Sequence, residues 1–178
     1  MNSRARGEVH FMKKIIQQME SLLNRVIVIQ QFIANGLLLL MMTIITADVI
    51  GRNLFNKPLK GTFEMTELSS GILVFFTLAM THRYGEHISI RFIADKLSKK
   101  TQFFIDSVIE WVIFFTLLIM SIHVFQHATR VMERKMTTTD LHVVIYPFLY
   151  VASFAIVTFA LVALLNAIKY WFAAVNET

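Results

Sequence analysis

The sequence predicts an all-α membrane protein that crosses the bilayer four times. Hydrophobic residues make up 56% of its 178 residues, charged residues only 16%, and the mean hydropathy is +0.59. A soluble domain contains about 25% charged residues. With six Gly and two Pro, few positions interrupt long helices. We therefore predict one integral membrane domain over residues 1–178.

The first predicted span covers residues 26–50. Residues 26–47 carry no charge and lie between Arg25 and Asp48, which is enough helix for a hydrocarbon core about 30 Å thick. This run is longer than the apolar region of a signal peptide and lacks a small-residue cleavage site. We expect it to remain as an uncleaved span.

The second predicted span covers residues 63–84. Its charge-free part, residues 68–82, is short on its own. Gly61 and Thr62 offer an N-terminal cap, and Glu64 and Glu67 lie in the first turns, where carboxylates favour the helix dipole. These flanks extend the helix to the length that a span requires.

The third and fourth predicted spans cover residues 108–130 and 147–168. Each contains a long charge-free run, 111–129 and 141–168 respectively. Pro147 lies within the second run, and proline is tolerated in the first turn of a helix because its missing N–H is unpaired there anyway. The fourth helix is therefore predicted to begin at Pro147.

Two further segments have the apolar spacing of amphipathic helices, residues 1–24 and residues 87–98. Both interleave apolar positions with charged ones, mostly basic, at helical period. We predict interfacial helices that lie along the membrane surface at the N-terminus and between spans two and three. A helix that binds a partner protein would have the same pattern.

The distribution of positive charge predicts the orientation. Alternate segments outside the spans hold 11 Lys and Arg on the side of the N-terminus and 6 on the other side. Because positive charge is retained in the cytoplasm, both termini are expected there. Trp111 and Trp171 then fall at the cytoplasmic ends of spans three and four, where amphipathic rings concentrate.

Several function classes are disfavoured by what the sequence lacks. The absence of Cys removes disulfides, thiolate metal sites and Fe–S clusters. The scattered positive charge gives no reason to expect a nucleic-acid partner, and no catalytic motif is present, so we predict no enzyme activity. No ionisable residue and no Gly or Pro break lies at the centre of a span, so no coupling site for transport is expected in this chain.

The histidines leave two alternatives. His123 and His127 share a helix face at a metal-ligand spacing, with His142 as a third candidate ligand. The other reading is that they form hydrogen bonds within the bundle, and we predict no metal and no cofactor. A haem- or quinone-binding anchor of an oxidoreductase is the alternative function, although His82 and His123 are expected at opposite membrane faces.

The most distinctive stretch joins spans one and two. Its turn formers would fix an external hairpin, and its acids and arginine are expected to meet at the outer rim because the two helices are antiparallel. These candidate partner-contact and structural residues are Asp48, Arg52, Asn56, Pro58, Gly61, Glu64 and Glu67. The motif could serve packing alone, or a spare carboxylate could meet a cation of a partner.

This stretch resembles the hallmark of the DctQ-type small membrane subunit of TRAP transporters, in which an Arg precedes a Phe-Asn-x-Pro-like turn, a Gly and two acids. The likeness continues through the segment from His82 to Ile88 and the Ile145-Tyr-Pro147 lead into the last span. The acid that many members carry after the His-hydrophobic segment is replaced here by Ser89, Ile90 and Arg91.

The resemblance implies a multi-pass protein of the bacterial inner membrane, surrounded by lipid. Its partners would be a large multi-span membrane subunit and a periplasmic solute-binding protein. Uptake would be driven by an ion gradient, usually sodium, and the substrate would be an organic acid, with sialic acid favoured. The large subunit would hold the substrate and ion sites.

Overall fold

The computed structural model describes residues 3–84 and 98–176, with side chains described for 16–84 and 98–175. Its helices are α1 (Ser3–Phe55), α2 (Thr62–Arg83), α3 (Lys99–Glu133) and α4 (Tyr146–Asn176). All four are long and apolar enough to cross a membrane. The prediction of an all-α membrane protein with four spans is confirmed.

Helix α1 differs from the expectation of an interfacial helix followed by a separate span. The described residues from Ser3 to Phe55 form one uninterrupted helix. No Gly or Pro lies between Gly7 and Gly36, so nothing in the backbone ends the helix before the apolar run begins. The first predicted interfacial segment is therefore the start of the same helix as span one. The second, residues 87–98, lies outside the described residues except for Ser98.

The connection between α1 and α2 is a tight turn over residues 56–61. Asn56 has φ 50° and Gly61 has φ 77°, both in the left-handed region, which Asn and Gly enter more readily than other residues. Gly61 is the N-cap of α2 and Tyr84 its C-cap. The hairpin expected from the turn formers is present.

Helices α3 and α4 extend beyond the predicted spans. Ser98 caps α3, its Oγ accepting a hydrogen bond from the Thr101 N–H at 3.3 Å, so the helix starts well before residue 108. The connection at 134–145 contains an isolated antiparallel bridge between Thr137 and Val144. Pro147 lies in the first turn of α4, as predicted.

Helix α4 lies at the centre of the bundle. It packs against α3 most extensively and also contacts α2 and α1. Its buried positions include many small side chains, which allow helices to approach closely in a membrane; these alanines are Ala152, Ala155, Ala160, Ala163, Ala167 and Ala174.

The bundle has two ends that differ in their polar contacts. We call the end with the connections 56–61 and 134–145 the loop end. The opposite end, where α2 ends at Arg83 and α3 begins at Lys99, is the terminal end.

Candidate functional site

Asp48 organises the start of the loop end. Its Oδ1 accepts a hydrogen bond from the Leu59 backbone N–H at 2.8 Å, and its Oδ2 lies 2.7 Å from a guanidinium nitrogen of Arg52. The Asp48 side chain is 8% exposed, whereas that of Arg52 is 64% exposed. A single carboxylate thus binds the backbone of the turn and also pairs with Arg52, which lies one helical turn after Asp48 on α1.

Glu64 joins α2 to the connection between α3 and α4. Its Oε1 accepts from the Asp140 N–H at 2.7 Å, and its Oε2 accepts from the Leu141 N–H at 3.0 Å. Glu64 is buried. Hydrogen bonds from backbone N–H groups to a carboxylate are among the stronger kinds. We call this contact the Glu64 latch.

Gly61 lies against the same connection. A Cβ built at this position would stand 2.2 Å from Leu141 Cγ, well inside any permitted contact. The backbone there is also left-handed. Glycine is therefore required at Gly61 both by the conformation and by the closeness of Leu141.

The expected rim cluster takes a different form. Arg52 pairs with Asp48 and not with Glu64 or Glu67, because Glu64 has bonded to the 134–145 connection instead. Glu67 is exposed, and within the described part of the chain its carboxylate has no ion pair or hydrogen bond. Asn56 and Pro58 are exposed in the turn.

A second cluster lies at the terminal end. The Nε2 of His82 on α2 is 2.8 Å from Oε2 of Glu110 on α3, and both side chains are buried. Asn166 on α4 donates from Nδ2 to Oε1 of the same Glu110 at 3.3 Å. The His82 ring also packs on Phe159, with centroids 5.0 Å apart. Three helices therefore meet at one carboxylate.

The first helix joins this end through Glu20. Glu20 Oε1 lies 3.0 Å from a guanidinium nitrogen of Arg83, and it also contacts the Lys169 ammonium group. The Glu20 side chain is 20% exposed and that of Arg83 is 22% exposed. We call Glu20, His82, Arg83, Glu110, Asn166 and Lys169 the terminal cluster.

The terminal cluster was missed in the sequence. Glu110 directly precedes the charge-free run 111–129, and Asn166 lies within the charge-free run 141–168, so neither residue stands out locally. A signal was available, because His82 and Asn166 both lie near the ends of their helices on the same side of the membrane under the predicted topology. Polar side chains at one depth on different helices are candidates for contact.

The histidines in the half of α3 nearer the loop end do not form a metal site within the described residues. His123 Nδ1 is 2.9 Å from the Ile119 carbonyl oxygen of its own helix. Among residues 3–84 and 98–176, no group of three or more His, Asp or Glu could hold a metal ion. His82 Nε2 is occupied by Glu110, so this geometry gives the haem-anchor alternative no support.

Comparison with known families agrees with these features. The family model for the DctQ component of tripartite ATP-independent periplasmic transporters matches residues 41–172. The chain belongs to this family. The matched segment contains the whole loop end and every member of the terminal cluster except Glu20. No curated protein matches the chain.

The arrangement as a whole holds helices and loops together. Asp48 and Glu64 bind backbone N–H groups, and Glu110 and Glu20 bind side chains of other helices. In a DctQ component, these acids therefore serve the internal structure of a small transporter subunit that spans the membrane several times.

Proposed function

We propose that this DctQ component is a non-catalytic small subunit that supports a large membrane subunit in ion-gradient-driven uptake of an organic acid. A periplasmic binding protein delivers the substrate, and both membrane subunits lie in the bacterial inner membrane. Sodium is the proposed coupling ion, and sialic acid is the first substrate to test.

One observation supports the proposal that this chain has a supporting role and no coupling site of its own. The four acids that are buried or nearly buried in the described helices are each engaged in a contact within the chain. An ion-coupling site needs a carboxylate or backbone oxygens that are available inside the membrane. The engagement of these acids supports the proposal that coupling belongs to the partner subunit and that this chain supplies structure.

The proposed orientation has both termini in the cytoplasm, so the loop end faces the periplasm. The exposed side chains Arg52 and Glu67 at that end are then proposed contacts for the large subunit or the docking binding protein. A Cys introduced at Ser98 should react only with reagents that reach the cytoplasm, and a Cys at Lys57 should react from outside. Labelling of both from the same side would contradict the proposed orientation.

Reconstitution tests the function. Proteoliposomes containing this chain alone should take up no labelled sialic acid. Liposomes with both membrane subunits and the binding protein should accumulate it when an inward sodium gradient is imposed. Uptake by the chain alone would overturn the supporting role, whereas uptake of a C4-dicarboxylate in place of sialic acid would correct only the substrate.

Removing this chain from the complete system gives the matched comparison. The large subunit and binding protein without it should show reduced uptake or reduced recovery of the large subunit from the membrane. Full activity and full recovery without this chain would contradict the proposal.

A further inference from the structure

Two amide side chains lie on the outward face of α1. Gln31 Nε2 donates a hydrogen bond to Asn35 Oδ1 at 3.0 Å, across one turn of the helix. Asn35 is exposed and Gln31 is half-buried. We call these two residues the amide pair.

The amide pair lies near the middle of the first span. At 1.5 Å per residue, Asn35 is about 15 Å along the helix from Arg25 and about 20 Å from Asp48. The hydrocarbon core is about 30 Å thick. Both amides therefore lie at a depth where water is absent and lipid offers no hydrogen bond.

The single hydrogen bond within the pair leaves most of the polar groups unsatisfied. The Asn35 amide nitrogen carries two N–H donors, and Gln31 retains a second N–H and its carbonyl oxygen. Within the described part of the chain, none of these groups meets another partner. An amide in hydrocarbon without a hydrogen-bond partner is costly.

The rest of the bundle does not cover this face. α1 packs inward through Ile27, Gln30 and Ala34, which are buried. Phe32 and Leu39, beside the amide pair, are 79% and 66% exposed. The amides are thus flanked by apolar side chains that the other described helices of this chain likewise leave exposed.

Helix α3 provides the contrast. Its exposed surface near mid-span is apolar, with Phe115 and Ile119 exposed. The one hydroxyl there, on Thr116, donates to the Val112 carbonyl of its own helix at 2.8 Å. That surface suits lipid, whereas the face of α1 with the amide pair carries hydrogen-bonding groups that hydrocarbon does not satisfy.

We propose that the face of α1 formed by Gln31, Phe32, Asn35 and Leu39 docks against a membrane-spanning helix of the large transport subunit. This inference rests on the proposed function, which makes a second membrane protein the constant neighbour of this chain. Because the amides are neutral, the matching position carries a neutral polar side chain or an open backbone carbonyl, flanked by apolar residues at the same depth.

Photocrosslinking tests the contact directly. A photoreactive amino acid is placed at Leu39, and in a matched control at Phe115, in cells that express the complete transporter. The probe at Leu39 should give an adduct with the large subunit, and the probe at Phe115 should not. Adducts of Leu39 with a second copy of this chain, or with lipid alone, would overturn the proposal.

Substitution tests the role of the amides. The double variant Gln31→Leu/Asn35→Leu should lower recovery of the large subunit in mild detergent by roughly tenfold. Thr116→Leu, an exposed mid-span substitution on α3, should leave recovery unchanged. Thermal unfolding of the purified chain should be unaffected by the double variant, since its amides bond to no other helix of the bundle. Equal recovery with the double variant and with Thr116→Leu would contradict the proposed interface.

The wild-type chain separates this inference from the proposed function. If the wild type recovers no large subunit, the supporting role and the interface both fail. If the wild type recovers it, while the Leu39 probe labels only lipid and the double variant is neutral, only the interface fails.

Discussion

The two ends of the bundle use carboxylates in different ways. At the loop end, Asp48 and Glu64 accept hydrogen bonds from backbone N–H groups of connections. At the terminal end, Glu110 and Glu20 contact side chains carried by other helices. The first arrangement fixes the path of the loops, and the second fixes the depth at which the helices pack.

The comparison also separates contacts to connections from contacts between helices. Asp48 and Glu64 each hold the backbone of one connection, although the partners of Glu64 lie 76 and 77 residues further along the chain, whereas each acid of the terminal cluster joins its own helix to two others. Loss of a terminal contact should therefore weaken the whole bundle, and loss of a loop contact should act on one connection. The predictions below test this difference.

The largest effect is expected for Glu110→Ala. His82 and Asn166 would lose their shared acceptor in a buried site, which should lower the free energy of unfolding by about 3–5 kcal/mol. Glu110→Gln keeps an acceptor and a donor there and should lose less. Unfolding in detergent measures the change, with Glu133→Ala, an exposed acid at the end of the same helix, as control. Similar stability of the two alanine variants would show that the terminal cluster does not hold the helices.

The next effect is expected for Glu64→Ala, and it should be local. Without the Glu64 latch, the amide protons of Asp140 and Leu141 lose their acceptor, and their hydrogen exchange should accelerate roughly tenfold or more. The matched control is Glu67→Ala, one turn later on α2 and exposed. Unchanged exchange at both amides in the Glu64 variant would mean that other contacts hold this connection.

A smaller loss is expected for Gly61→Ala. The left-handed backbone should cost about 1–2 kcal/mol, and the new methyl group overlaps Leu141. Adding Leu141→Ala should relieve the overlap but leave the backbone cost. The loss of stability in the double variant should therefore be smaller than the sum of the losses in the two single variants. Strict additivity in thermal unfolding would indicate that the loop moves aside at no cost.

The smallest effect on stability is expected for Arg52→Ala. Its side chain is largely exposed, so its ion pair with Asp48 should contribute only about 0.2–1 kcal/mol. Uptake should fall more than it does for Lys57→Ala or Lys60→Ala if Arg52 contacts a partner, as proposed above. Wild-type uptake with Arg52→Ala would contradict a partner contact and show that Arg52 is only a solvated residue at the end of α1.

The fold was predictable because its determinants are local. Charge-free runs locate the four spans, the turn formers Asn56 and Gly61 both adopt the left-handed backbone, and Pro147 lies where a helix can accept it. The helix boundaries were less predictable. Ser98 caps α3 well outside the apolar run, because polar residues can extend a helix beyond the apolar segment that crosses the membrane.

The candidate site was predictable only in part. The hallmark stretch includes Asp48 and Glu64, but the partners of Glu64 lie 76 and 77 residues further along the chain. The antiparallel pairing of α1 and α2 favours Arg52 as the neighbour of Glu64. Nothing in the local sequence indicates that the 134–145 connection reaches the N-terminus of α2. The terminal cluster depends on the same kind of distant contact.

The central position of α4 has a consequence for synthesis. Spans enter the membrane in the order in which the ribosome makes them. Glu110 on α3 is therefore inserted before Asn166 has been made. Glu20 is likewise made before its partner Lys169, which lies 149 residues further along the chain. Helix α4 is made after α1, α2 and α3, and it is the helix that contacts all three of them. A nascent chain that stops after residue 140 should therefore be recognised as incomplete and degraded faster than the full chain, which pulse–chase labelling can measure.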